Sequence, residues 1–132
     1  NLNINYENQV LNFDKSNLLL DEILSIRLVD SEFKNSKNKQ YFFGEFEILI
    51  NDYSSLYSFF QTKKEFRKEI KSIKLYAKYD FLRNNLSFEK VKIDGNFSEN
   101  IANVISQFNQ ENKVLKNRID LRNFFNSIVE EL

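Results

Sequence analysis

The chain contains no cysteine, histidine, methionine, tryptophan or proline among its 132 residues, and only two glycines, Gly44 and Gly95. Each absence removes a class of chemistry. Without cysteine there is no disulfide, thiolate nucleophile or zinc–thiolate site, and without histidine there is no imidazole base or ligand. Two isolated glycines cannot build a glycine-rich phosphate loop or a dinucleotide fingerprint. No apolar run approaches the roughly 18 to 20 residues that span a bilayer, so the segment reads as water-soluble and any membrane anchor would lie upstream. It begins at Asn1, with neither an initiator methionine nor a secretion-signal pattern, and we expect it to be a processed product or a piece of a longer chain. An excess of one charge is missing too. Nineteen basic and nineteen acidic residues cancel and are interspersed, which argues against a nucleic-acid partner. The local excess at Lys63-Lys64 and Arg67-Lys68 is interrupted by Glu65 and Glu69, the mixture expected of a solvated helix face.

What is present is period-2 alternation. Residues 73–94 organise the rest: Ile73, Leu75, Ala77, Tyr79 and Phe81 share one face of an extended run, with Lys74, Lys78 and Asp80 opposite. Arg83-Asn84-Asn85 supplies turn residues, and a second alternating run carries Leu86 and Phe88, then Val91 and Ile93. This predicts a β-hairpin. The alternation slips by one between Phe88 and Val91, so either a β-bulge lies near Glu89-Lys90, the reading we favour, or the strand changes which face it buries.

Upstream, residues 2–6 and 10–13 read as a short hairpin, and Leu18-Leu19-Leu20 is compatible with another strand. Residues 23–29 alternate, with Leu24, Ile26 and Leu28 on one side and Ser25 and Arg27 on the other, and the strand continues towards Phe33. A polar loop at 35–39 leads to a strand over 41–50, in which Phe42, Gly44, Phe46, Ile48 and Ile50 share a face. Gly44 inside that run implies a bulge or a close backbone approach. Asp52 is a helix cap for Tyr53, Leu56, Tyr57 and Phe60 at helical spacing, and residues 62–70 read as one or two further helical turns. Beyond Gly95 the period becomes 3.6. Ser98 starts a helix with an Ile101, Val104, Ile105, Phe108 stripe, 110–112 breaks it, and Leu121, Phe124, Phe125, Ile128, Val129 and Leu132 form a final amphipathic helix. The sum is an α+β fold: a mainly antiparallel, twisted meander over residues 1–95 with a helical insertion at about 52–70, and a C-terminal helical segment over 96–132 packed on the sheet.

For chemistry, the nearest carboxylate cluster is Glu45, Glu47 and Asp52. Glu45 and Glu47 share a strand face at a spacing open to a cation or an acid/base pair, but equally to a solvated face on a strand that is apolar on its other side. No catalytic residue, metal or cofactor is expected. The aromatic content is more informative. Fourteen Phe and six Tyr are spread over almost every strand, and they line either a closed core or an open apolar groove, since both obey one alternation. Strand facing makes Phe42, Phe46, Ile48, Leu75, Tyr79, Phe81 and Phe88 the groove candidates.

The stretches GEFEILINDYSSLYSFFQ and FRKEIKSIKLYAKYDFLRNNLSFEKVKIDG carry a resemblance. A strand opened by Gly44, a short aromatic helix at Tyr57-Ser58-Phe59-Phe60, a strand with Tyr79-Asp80-Phe81 and another ending in Ile93-Asp94-Gly95 together resemble the C-terminal region of the AsmA family, TamB-related bacterial envelope proteins, over residues 41–132. The resemblance implies a periplasmic β-structure with an apolar concave face, part of an inner-membrane-anchored chain. It implies a role in lipid transport between membranes or in outer-membrane assembly, with phospholipid acyl chains and neighbouring β-segments of the parent chain as partners. The other reading is a structural or protein-interaction domain whose apolar faces are all closed.

Overall fold

The alternating runs become an antiparallel sheet. In the structure, a computed structural model that describes residues 5–7, 10–12, 16–20, 22–111 and 115–132, the strands are β1 (Asn5–Glu7), β2 (Val10–Asn12), β3 (Ser16–Leu20), β4 (Leu24–Ser36), β5 (Lys39–Ile50), β6 (Ser72–Asp80) and β7 (Asn85–Ile93). The helices are α1 (Tyr53–Phe59), α2 (Glu99–Gln110) and α3 (Arg118–Val129). The fold is α+β. β4 to β7 form an antiparallel meander in chain order. β2 and β3 share the outer edge of β4: β2 pairs opposite residues 32–34 and β3 opposite residues 24–28. The hairpin expected near the N-terminus is β1 with β2, paired from Asn5↔Asn12 to Glu7↔Val10; Leu2, Asn3, Ile4 and Phe13 lie outside the described residues.

Local chemistry explains the irregularities. The register of β6 and β7 shifts between Lys74↔Lys92 and Tyr76↔Glu89, and Lys90 there has φ of 51°, so the expected bulge sits at Lys90. Gly44 does not mark a bulge in its own strand. The extra residue is Val29 across the ladder, between Leu28↔Phe46 and Asp30↔Glu45. A Cβ on Gly44 would instead lie 2.9 Å from Leu28 Cδ1 and 3.2 Å from both Phe42 Cζ and Phe46 Cε2, so the close approach is of side chains folding over the glycine.

Asp52 caps α1 as expected: its Oδ1 accepts from Ser55 N–H at 3.0 Å and its Oδ2 from the Ser55 hydroxyl at 2.6 Å. These bonds hold the Asp52 carboxyl below its usual pKa. Residues 62–70 differ from expectation. Only a 3-10 turn at Lys64–Phe66 forms, because the segment is drawn out towards the start of β6 and Ile70 is pulled into the core at 1% exposure. α2 ends at Gln110 as the breaker requires, and Ile101, Ile105 and Phe108 of its stripe are buried. Asn112 lies outside the described residues.

The core lies between the helices and one end of the sheet. Tyr57, Ile70, Val91, Ile93, Ile101, Ile105 and Val129 form its buried cluster, with Phe124, Phe125 and Ile128 of α3 packed against it. The Tyr57 hydroxyl donates to the Lys68 carbonyl at 2.5 Å. A second tie crosses the chain: Thr62, 2% exposed, donates from Oγ1 to Asn126 Oδ1 at 2.6 Å, while Asn126 Nδ2 donates to the Phe60 carbonyl at 3.1 Å. Neither α2 nor α3, at 12 residues each, is long enough to be stable alone in water; what holds them is the burial of Ile101, Ile105, Phe108 and Val129 and the packing of Phe124, Phe125 and Ile128, whereas Leu121 of the expected α3 stripe is 38% exposed and Leu132 lies past the helix end. Among the described residues no helix is long and apolar enough to cross a membrane.

Candidate functional site

Register turns the alternation of four strands into rows across one face of the sheet. The first row is Phe33, Phe42, Tyr79 and Leu86; the second is Ser31, Gly44, Ala77 and Phe88. The third is Leu28, Phe46 and Leu75, and the fourth Ile26, Ile48, Ile73 and Ile93. Directly opposed side chains in such rows lie about 5 Å apart at Cβ, close enough for a continuous apolar surface. The second row is small at three strands out of four, which forms a trough between bulky rows. Leu28, Phe42 and Phe46 lean into it over Gly44.

The helices divide this face. α2 packs on β7, and Ile73, Leu75, Phe88 and Ile93 all belong to or pack against the buried cluster. Phe88 is held between Phe108, at 5.4 Å between ring centroids, and Phe124, stacked at 5.1 Å. On β4 and β5 the face changes character. Ile26, Leu28, Phe33, Phe46 and Ile48 are half-buried, as Ile73, Leu75 and Phe88 are, but none of these five belongs to the cluster or packs against it.

The seven groove candidates therefore fall into three places. Phe42, Phe46, Ile48 and Tyr79 lie on the half-buried part of the face. Leu75 and Phe88 share that face but sit at the helix-packed end. Phe81 lies past the end of β6 in the turn, 47% exposed, with its ring edge-on to Phe33 at 5.4 Å and to Tyr79 at 4.8 Å. The strand pattern missed Ile26, Leu28, Phe33 and Leu86 as members of the face. Their alternation was legible, but which of β4's faces joins β5's is set by the register at the Val29 bulge.

The opposite face is polar and aromatic. Glu45 takes the Lys74 ammonium at 2.5 Å and the Tyr76 hydroxyl at 2.9 Å, and Glu47 faces Arg27 at 3.6 Å. The Lys74 hydrogen bond holds the Glu45 carboxyl below its usual pKa, although partial burial opposes this. Tyr41 donates to Glu32 Oε1 at 2.6 Å, Phe43 stacks on Tyr76 at 5.7 Å, and the ammonium groups of Lys78 and Lys90 lie over the rings of Tyr41 and Tyr76 at 5.1 and 5.0 Å. Glu45 and Glu47 thus share a face as expected, but each is engaged by a cation across the ladder, and Asp52 is committed to the start of α1. Among the described residues no three acidic or metal-binding side chains are grouped to hold a metal. Two clefts open elsewhere, about 730 Å³ between α2 and α3 and about 420 Å³ between β7 and α2.

Compared with protein-family models, curated proteins and solved structures, the chain matches none.

Proposed function

We propose that this chain is a non-enzymatic, AsmA-like envelope segment that holds phospholipid acyl chains against the β4–β5 part of its apolar face, in lipid transport between membranes or in outer-membrane assembly. The observation that carries the reading is the division of one continuous apolar face. Helices pack on its β6–β7 end, while Ile26, Leu28, Phe46 and Ile48, half-buried as Leu75 and Phe88 are, lie outside the cluster those helices cover. A partly open apolar surface on a stable scaffold can take an apolar ligand, and a fatty tail needs only apolar contact without hydrogen-bond partners. The resemblance over residues 41–132 adds the setting: a periplasmic location, a parent chain anchored in the inner membrane, and further β-segments as neighbours.

A second reading has its own observation. Leu28, Phe42 and Phe46 already fill the space above Gly44, as they would in a structural or protein-interaction domain whose face is closed. Native mass spectrometry of the purified chain, with organic extraction of anything bound, separates the two. Phospholipid at fixed stoichiometry, lost in Phe46→Asp while circular dichroism and thermal unfolding persist, supports the groove. A folded, lipid-free chain that also fails to take up a fluorescent fatty acid establishes the closed domain.

A further inference from the structure

The meander brings two turns to one end of the sheet. β4 and β5 join through Lys37-Asn38, and β6 and β7 through residues 81–84, and the two turns are tied where Phe81 N–H donates to the Gln40 carbonyl at 2.9 Å. The second turn is fixed by its own side chains. Asp80 Oδ1 accepts from the N–H groups of Leu82 and Arg83 at 3.0 Å each, Asn84 adopts φ of 50°, and its side chain accepts from the Tyr79 hydroxyl. This ordered turn nevertheless turns apolar groups outward: Leu82 is 56% exposed and Phe81 is 47% exposed.

The charge around them is one-sided. Residues 34–40 and 80–85 contain four cations, Lys34, Lys37, Lys39 and Arg83, and one carboxylate, Asp80. The whole chain is neutral, so these two segments carry a net positive charge set against a net negative remainder; Glu7 shares the row of Lys34 by register, and Glu111, Lys116 and Asp120 line the cleft beside Asn84. Asp80 is itself occupied in the turn, and its ion pair with Arg83 is long, at 4.0 Å on an 83% exposed side chain, a contact worth little in water.

We propose that this end of the sheet is a docking tip for the surface of an anionic phospholipid bilayer, with Phe81 and Leu82 entering the headgroup boundary and Lys37, Lys39 and Arg83 pairing with lipid phosphates. Apolar side chains combined with cations are the pairing that interfacial attachment requires, since neither term alone holds a protein on a membrane. The tip also adjoins the apolar face: Phe81 touches Phe33 and Tyr79, the row nearest this end. Resting on the acyl-chain reading above, the inference makes the tip the point at which a lipid would pass between bilayer and face.

The absence of tryptophan gives a clean probe. Leu82→Trp places a single indole at the tip, and Leu49→Trp places one on an exposed position at the far end of β5. With vesicles of phosphatidylcholine containing a third phosphatidylglycerol, the Leu82→Trp emission should shift to the blue and be quenched by lipids brominated on their acyl chains. Leu49→Trp should not respond. In the chain with the Leu82→Trp change, neutralising Lys37, Lys39 and Arg83 to Gln should weaken vesicle partitioning by about a hundredfold, as expected for three cations near an anionic surface. No shift with anionic vesicles, or an equal shift at Leu49→Trp, overturns the docking tip. Uptake of a fluorescent fatty acid without vesicles is measured in the same variants: uptake retained alongside failed vesicle binding rejects the tip alone, and vesicle binding without uptake rejects the groove alone.

Discussion

The side-chain amide of Asn109 grips the backbone of Phe88 at both of its polar groups: Oδ1 accepts from Phe88 N–H at 3.0 Å and Nδ2 donates to the Phe88 carbonyl at 2.8 Å. Among the described residues β7 is the last strand of the sheet and has only β6 beside it. The amide therefore occupies the ladder position that another strand would take. Further along β7, Ile93 exchanges both backbone bonds with Asn96 at 3.0 and 2.9 Å, and the Lys90 bulge interrupts the run between them. An unprotected edge is a template for pairing with another chain, and here it is occupied at Phe88 and at Ile93 and kinked between them.

Asn109→Leu keeps the volume of this plug but removes both bonds. We expect a loss of about 1–3 kcal/mol in urea unfolding, two hydrogen bonds to backbone groups that water reaches only in part. We also expect concentration-dependent self-association by sedimentation velocity, which the unmodified chain should not show. A monomeric variant of unchanged stability would rule out edge protection.

The two glycines should fail for different reasons. Gly95 has φ of 79° with nothing within 4 Å of an added Cβ, so Gly95→Ala meets no clash and costs about 1 kcal/mol through the left-handed backbone alone. Gly44→Val meets Leu28, Phe42 and Phe46 and should cost about 1–3 kcal/mol by overpacking. Combining Gly44→Val with Leu28→Ala should recover part of the loss, whereas Gly95→Ala should be insensitive to that second change.

Phenylalanines that look alike in sequence should separate in energy. Phe88→Ala, under α2 and α3, should cost about 3–5 kcal/mol. Phe46→Ala, half-buried outside the cluster, should cost no more than about half as much. Equal losses in chemical denaturation would place Phe46 in a closed core and remove the groove.

Stability should be flat across neutral pH and fall at both extremes. No histidine titrates between. Glu45 and Asp52 have folded pKa values below their ordinary 4.5 and 3.8, the first through Lys74 and the second through Ser55. Their stabilisation is thus complete above those ordinary values and is lost as pH falls through the lowered ones. Tyr57 moves the other way: burial raises its hydroxyl to about 12, so its contribution is complete below pH 10, the ordinary tyrosine value, and is lost as pH rises through 12. Urea midpoints against pH should show both limbs, with Glu45→Gln flattening the acid one and Tyr57→Phe the alkaline one.

Period and capping residues were enough to determine the β6–β7 hairpin, its bulge at Lys90, the strands around Phe42 and Leu24, the Asp52 cap, the α2 stripe and the Phe124–Val129 part of the α3 stripe, because each is written in residues a few positions apart; Leu121, assigned to that last stripe by period, is exposed. The same local rules gave residues 62–70 helical turns, and there the pull of Ile70 into the core decided otherwise. Tertiary structure alone decided which apolar side chains are covered. Phe46 and Phe88 stand on one face with the same alternation, and only the docking of α2 on β7, with Asn109 locking it in place, puts one beneath the helices and leaves the other beside them. The sharing of β4's edge by β2 and β3, and the meeting of Phe81, Leu82, Lys37 and Lys39 at one end of the sheet, likewise depend on register between distant strands, which no short stretch of sequence encodes.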